Sequence, residues 1–363
     1  MPSFTWRNDI LTRLSQARFA KRVSPRVQRA TLRLAMASDY APAPSDSMRD
    51  DVFRSLVRYL GCSDREAQRI AAEHSTAMYR AGLMWYYLRG ADQPQITAFI
   101  RDAVRVVHAE YVHDLPPGPI IVFSAHGGLP VAGALELARA LGERTRLNTL
   151  FGRTRLSTFL AAPEDNPSTA GYPELLERSG LGINTMLVNS RATLLALRAL
   201  KAGEALTMQP DVYDNRNASA ILVPFLNGLT YAMTGTAFLT LRSQATLIPA
   251  FARVLPGGRV VVTYEPPIQY EATGDDTRDL YDLTAAIHRS IEVRVGEAPD
   301  QWIYWQTLQN RMAPGVILPG DRGDDAAWAQ AFAATTEWAA RVAPPLASTI
   351  RELPGLCEHN SSV

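Results

Sequence analysis

The sequence is short of cysteine, of lysine and of net charge, and each shortage narrows what the chain can be. Of 363 residues only two are cysteine, Cys62 and Cys357. They stand far apart without metal-ligand spacing, so neither a disulfide framework nor a zinc site is expected, and a reducing compartment fits. Lysine occurs only at Lys21 and Lys201, the remaining cations being arginine, and the net charge of +1 gives no overall pull toward nucleic acid. No stretch reaches the roughly 18 apolar residues of a membrane span. The N-terminus also lacks the apolar core and cleavage site of a signal peptide. The expectation is a cytoplasmic protein, soluble or peripheral to the inner face of a membrane. A glycine-rich nucleotide fingerprint, a calcium loop and a Gly-x-Ser-x-Gly elbow are all missing. A serine hydrolase is therefore disfavoured, and neither a metal nor a tightly bound cofactor is expected.

What is present is a core-forming composition, 47% hydrophobic and 20% charged, ample for a large globular unit. Residues 1–35 carry Arg7, Arg13, Arg18, Lys21, Arg22, Arg26, Arg29 and Arg33 against the single acid Asp9. Apolar residues between them predict a basic amphipathic helix, fit either to pack on its own domain, to rest on an anionic membrane face or to dock an acidic carrier protein. Proline and serine make Tyr40–Ser47 a loop, and from Met48 to Val112 the pattern is helical throughout. Ser63 and Glu66 form a capping-box signature. Ala77–Leu88 is rich in aromatics and methionine; its first reading is core, with Met84, Trp85 and Tyr86 as candidate lining of an apolar pocket.

After Pro116-Pro117-Gly118-Pro119 strands and helices alternate. Strands are expected at Ile120–Phe123, Arg146–Phe151, Ala205–Met208, Thr246–Phe251 and Arg259–Tyr264, with helices at 131–141, 190–201, 232–243 and 279–295. Residues 154–172 form a long loop, and 326–342 a last helix before a frayed end. This alternation predicts an α/β fold, a mostly parallel central sheet flanked by helices, with an N-terminal helical segment. The divisions are 1–112 for the helical region, 113–320 for the α/β core and 321–363 for the C-terminal helix and tail, together one structural unit.

The chemistry centres on Ile120-Ile121-Val122-Phe123-Ser124-Ala125-His126-Gly127-Gly128. A buried strand ends in a histidine, two glycines allow a sharp turn, and a helix follows from Val131. Ligands of open α/β sheets bind at such carboxyl edges. His126 reads either as a satisfied structural histidine or as a catalytic base.

Three further stretches join it: Leu200–Leu206 with Gln209-Pro210-Asp211, Val223–Gly228 with Thr234-Gly235-Thr236-Ala237, and Ala298-Pro299-Asp300-Gln301-Trp302. In order and approximate spacing the four resemble the lipid A late acyltransferases, the lauroyl/myristoyl transferases of the glycerolipid acyltransferase superfamily. The resemblance implies a glycerolipid acyltransferase-like fold. It also implies transfer of an acyl group from a carrier-protein or coenzyme A thioester to a hydroxyl or amine, with His126 as general base. In that family a carboxylate five residues on orients the imidazole; here that position is Val131. No acid follows until Glu136, about 15 Å on from the histidine by helical rise.

The best substitute is Asp211, at the end of a predicted strand, with Asp214 close behind. Each has a plainer reading as well, Asp211 as a turn cap and Asp214 as a solvated acid. Gly127 and Gly128 are candidate backbone N–H donors to the thioester oxyanion, or simply a tight turn. Arg153 and Arg155 have the type and place for a phosphate or phosphopantetheine contact, or are surface arginines. Thr234 begins the second part of the third motif and is a candidate substrate contact. The family's later arginines are replaced by Gly180–Asn184 and its basic closing run by Gln306–Gln309, which argues against lipid A as acceptor. The reading is an acyltransferase with an altered small-molecule acceptor. The alternative is an inactive homologue that still binds an acyl chain or carrier protein, and a carboxylate within hydrogen-bonding reach of His126 separates the two.

Overall fold

The computed structural model describes residues 46–151, 171–187, 191–211 and 220–313. The expected basic helix at 1–35, the loop at 154–172 apart from its last two residues, the helix at 326–342 and the tail lie outside the described residues. So do Arg153, Arg155 and Asp214.

Helix α1 (Asp46–Ser55) runs into a π-helical turn, Leu56–Leu60, that Gly61 ends in a left-handed conformation at φ 74°. The long α2 (Asp64–Gly90) starts where Ser63 Oγ accepts the Glu66 N–H at 3.4 Å. Asp92 and Gln95 form a full capping box for α3 (Gln93–Ala103). The helical pattern does not continue to Val112. Val104–Val107 is a strand, β1, and the only helix beyond it in that stretch is the short α4 (Glu110–His113). The β-branched Val104, Val106 and Val107 find a parallel partner in the strand Arg259–Tyr264, and that pairing overrides helical spacing.

The remaining elements are β2 (Ile120–Phe123), α5 (Pro130–Leu141), β3 (Leu147–Phe151), α6 (Tyr172–Arg178), β4 (Asn184–Leu187), α7 (Ala192–Lys201), β5 (Ala205–Met208), β6 (Ala220–Phe225), β7 (Gly228–Met233), α8 (Gly235–Ser243), β8 (Thr246–Leu255), β9 (Arg259–Tyr264) and α9 (Asp276–Glu297). Two 3-10 segments follow, Pro299–Gln301 and Ile303–Asn310. The main sheet has seven strands in the order β1-β9-β8-β2-β5-β3-β4. Every pairing is parallel except β8 with β9, so the mostly parallel α/β architecture is the observed one.

Two expectations change here. β6 and β7 make a separate antiparallel hairpin turning at Leu226-Asn227, with Leu226 at φ 53°. The helix expected from 232 therefore begins at Gly235. The short edge strand β4 was not anticipated, because Asn184 interrupts its apolar run. Asn148 lies opposite it in β3, and Asn184 donates to Asn148 Oδ1 at 2.7 Å.

β2 is the centre of the sheet, and all four of its side chains are buried. Ile120 and Val122 pack in one layer with Leu88, Leu135 and Ile248. Ile121 and Phe123 pack in the other with Leu200, Leu239 and Ile287. Helices cover both faces, which is why the strand reads as an unbroken apolar run. Met84 and Trp85 lie in the first layer, 1% and 8% exposed, so their core reading holds.

Candidate functional site

β2 and β5 leave the sheet side by side. Phe123 is paired with Met208, and the Ser124 N–H donates to the Met208 carbonyl at 3.0 Å. Three residues past β2 comes His126; three past β5 comes Asp211. Their placement at one carboxyl edge brings together side chains 85 residues apart in sequence.

The contact has two parts. His126 Nδ1 and Asp211 Oδ1 are 2.6 Å apart, and the His126 backbone N–H donates to Asp211 Oδ2 at 2.7 Å. Trp302 Nε1 donates to the same Oδ2 at 3.0 Å. The Asp211 side chain is 3% exposed and that of His126 22%, so the acid is enclosed while the imidazole keeps an open side. Burial by itself pushes the Asp211 carboxyl up. The attraction of His126, its two hydrogen bonds and the Trp302 bond outweigh burial and hold the carboxyl below the usual range. An ionised carboxylate only accepts, so His126 Nδ1 is the donor, and in the neutral imidazole the lone pair is then on Nε2.

The closing run Pro299–Trp302 clamps this corner. The Gly128 N–H donates to the Gln301 carbonyl at 2.9 Å and the Ile303 N–H to the His126 carbonyl at 3.0 Å. Gln301 Oε1 accepts the Val254 N–H at 3.0 Å, tying the run to β8. Behind it, the Asp300 carbonyl lies 3.1 Å from His74 Nδ1 on α2. Tyr304 then lies against the imidazole, ring centroids 5.1 Å apart. The Arg311 guanidinium stacks over the Tyr304 ring at 3.3 Å, while its Nη1 donates to the Asp211 carbonyl at 2.8 Å.

Of the two readings open for the glycines, this geometry supports the tight turn. The Gly127 N–H is given to the Ala125 carbonyl and the Gly128 N–H to Gln301, both at 2.9 Å, so neither is presented to an oxyanion. Their smallness serves close approach instead. A Cβ on Gly128, at φ +56°, would stand 2.0 Å from the Ala252 carbonyl oxygen, and one on Gly127 3.0 Å from that of Gln301. Val131, where the resemblance expected an acid, is 3% exposed in the core face of α5. Glu136 on the same helix is paired with Arg139 rather than with the histidine. Thr234 is buried at the N-cap of α8 and gives its carbonyl to the Phe238 N–H at 2.8 Å.

Trp302, Tyr304 and Arg311 were not among the site residues expected from sequence. Trp302 sits within a motif already singled out. Nothing local marks Tyr304 or Arg311, whose roles appear only when the 3-10 segment folds back on Asp211. Among the described residues no group of three or more His, Cys, Asp or Glu side chains is arranged to hold a metal ion. Nor is any described helix long and apolar enough to cross a membrane.

The class so defined is an α/β protein with a histidine–carboxylate pair at the carboxyl edge of its central strands. A family model described as Bacterial lipid A biosynthesis acyltransferase matches residues 177–311. Over that stretch the chain is similar to this family of acyltransferases, as its motifs implied. Three of the four motifs lie inside the match, which ends on Arg311; the His126-Gly127-Gly128 stretch precedes it. Among solved structures, the 1-acyl-sn-glycerophosphate (LPA) acyltransferase PlsC from Thermotoga maritima is similar at 12% identity and a TM-score of 0.32, covering 74% of this chain and 97% of that one. No curated protein matches the chain.

Proposed function

We propose that this protein transfers an acyl group from a thioester, carried by coenzyme A or a carrier protein, to a hydroxyl or amine acceptor. The observation that carries the reading is the 2.6 Å contact between His126 Nδ1 and Asp211 Oδ1. It supplies the carboxylate that the motif position lacks.

The chemistry follows from the fixed tautomer. Nε2 of His126 takes the proton of the acceptor O–H or N–H as the acceptor oxygen or nitrogen bonds to the thioester carbonyl carbon. Asp211 stabilises the imidazolium that forms, in the role carboxylates play in histidine-based triads. The tetrahedral intermediate collapses by breaking the C–S bond, and the imidazolium returns its proton to the departing sulfur. Asp211 touches no reacting atom and is a positioning residue.

Arg153 and Arg155 remain proposed contacts to the donor's phosphate or phosphopantetheine, and Asp214 and Thr234 proposed acceptor contacts. The donor is the only small molecule required besides the acceptor, with no tightly bound cofactor. The missing family arginines favour an acceptor other than lipid A. The work would be done in the cytoplasm or at the inner face of its membrane, with the basic N-terminus as the proposed contact to a carrier protein.

The test is acyl transfer followed by mass spectrometry over a panel of acyl thioesters with amine and hydroxyl acceptors. His126→Ala should abolish product, and Asp211→Asn should lower turnover by about 10²–10⁴-fold, the usual range for general acid–base catalysis. Retained acyl or carrier binding with no turnover in the unaltered protein would instead favour an inactive binding homologue.

A further inference from the structure

The oxygen of a thioester takes on negative charge during acyl transfer, and the donors that frame the His126–Asp211 pair are committed elsewhere. The Gly127 and Gly128 N–H groups go to the Ala125 and Gln301 carbonyls, and that of Ile303 to the His126 carbonyl. Trp302 Nε1 and Arg311 Nη1 are both spent on Asp211. One donor at this edge is not. Gln209 Nε2 is shut off from water and has no hydrogen-bond partner. Of the buried, unpartnered side-chain atoms among the described residues, it alone stands on the two strand ends that carry His126 and Asp211. A buried amide N–H left unsatisfied costs the fold stability and calls for an explanation.

The strand sets its place. Gln209 is the first residue past β5, and a residue before proline is kept extended, so the alternation of β5 continues through it. Thr207 is paired with Val122, whose side chain packs in the layer of Leu88 and Leu135. Gln209 therefore lies on that face, and because Phe123 pairs with Met208 it comes level with Ser124. Ser124 and Gln209 each precede one member of the pair by two residues. Two residues span at most about 7 Å, close enough for the side chains of Gln209 and Asp211 to border one bound carbonyl. The residue as a whole is half-buried, so its amide belongs to the wall of the edge. No hydrogen bond fixes the nitrogen, and the last torsion of a glutamine is soft, so the amide can turn to a bound group.

We propose that Gln209 is a catalytic residue, its Nε2–H donating to the thioester carbonyl oxygen as that oxygen becomes an oxyanion. The assignment rests on the acyl-transfer reading. As the acceptor oxygen or nitrogen bonds to the carbonyl carbon, its proton passes to His126 Nε2 and the C=O π pair moves onto oxygen, where the amide meets it. When the pair returns, the C–S bond breaks and the imidazolium proton goes to sulfur. An uncharged donor suits this position. It stabilises the oxyanion, whereas a lysine or arginine so close would oppose the positive charge that His126 must take up.

Gln209→Met keeps the length of the side chain and removes the N–H. Transfer from a thioester that the unaltered protein uses, followed by mass spectrometry, should show kcat lower by about 10²–10³-fold, the usual cost of one oxyanion donor, with KM unchanged. Because the amide nitrogen has no partner in the fold, the urea midpoint should stay the same or rise. A dithioester donor, with sulfur in place of the carbonyl oxygen, reads the contact itself. Sulfur accepts a hydrogen bond weakly, so the gap between unaltered protein and variant should narrow on it. A variant that matches the unaltered protein in kcat would overturn the assignment. So would a fall in kcat that is equal on both donors or that comes with a lower urea midpoint, since Gln209 would then only support the turn that carries Asp211. An unaltered protein that turns over no thioester would sink the acyl-transfer reading, and this assignment with it.

Discussion

A carboxylate sealed from water stays ionised only if its neighbours are arranged for it, and at Asp211 they come from three parts of the chain. His126 supplies two donors from the end of β2, Trp302 one from the closing run, and Arg311 fixes the main chain at the same residue. Trp302→Phe keeps the ring packing and removes one donor. Losing a hydrogen bond to a charged group costs about 1.5–3 kcal/mol, so acyl transfer should fall by about tenfold or more. The Asp211 carboxyl should titrate higher, which an NMR pH titration of its carboxyl carbon would read directly. His126 and Asp211 were legible in the sequence because each ends a short apolar run, and topology brings the ends of neighbouring parallel strands together. Arg311 was not legible. It lies 100 residues from its partner and contacts it through a backbone carbonyl, which has no side-chain signature.

Elements were easiest to anticipate where one physical cause dominated. β2, β5 and β9 match their expected limits because each is an apolar run bounded by turn residues. β1 was missed because valines at the end of a helix are ambiguous until a partner strand is known. β4 was missed because its half-buried Asn184 donates to Asn148 across the ladder, so polarity there signals pairing rather than a loop. The two glycines after His126 read from sequence either as a tight turn or as donors to an oxyanion, and the structure favours the first. What they accommodate is the backbone of β8 and of the closing run, not a ligand. Gly128→Ala tests this directly, since its Cβ would meet a carbonyl oxygen at 2.0 Å in a left-handed backbone. The substitution should cost roughly 2–4 kcal/mol of stability, readable as a lower urea midpoint. Were the glycines needed only for substrate, stability would not change.

Over the whole molecule, titration should be governed by two buried histidines as well as by the site. His74 and His288 are each pushed down by burial, offset in part by carbonyl partners, Asp300 and Thr284. Folded values lie below the unfolded value of about 6.5, so the unfolded chain takes up protons first. Stability is then full above about pH 6.5 and declines as pH falls toward the folded values. Asp211 acts further down: its depressed carboxyl contributes stability that is present above about 3.9 and lost as pH falls through its folded value. Urea midpoints at about pH 7.5 and about pH 5.5 should differ, and His288→Gln should shrink that difference. An equal drop in the variant would locate the sensitivity elsewhere.

The clamp at Pro299–Trp302 also has a consequence in time. During synthesis the strands carrying His126 and Asp211 emerge long before residue 302, yet Asp211 gains its indole donor, and His126 the bond to its carbonyl, only when that run arrives. A nascent chain can therefore hold a nearly complete sheet while its histidine is still unpoised. Completion of this corner is a late event, set by the arrival of residues 299–303 rather than by the strand on which the histidine sits.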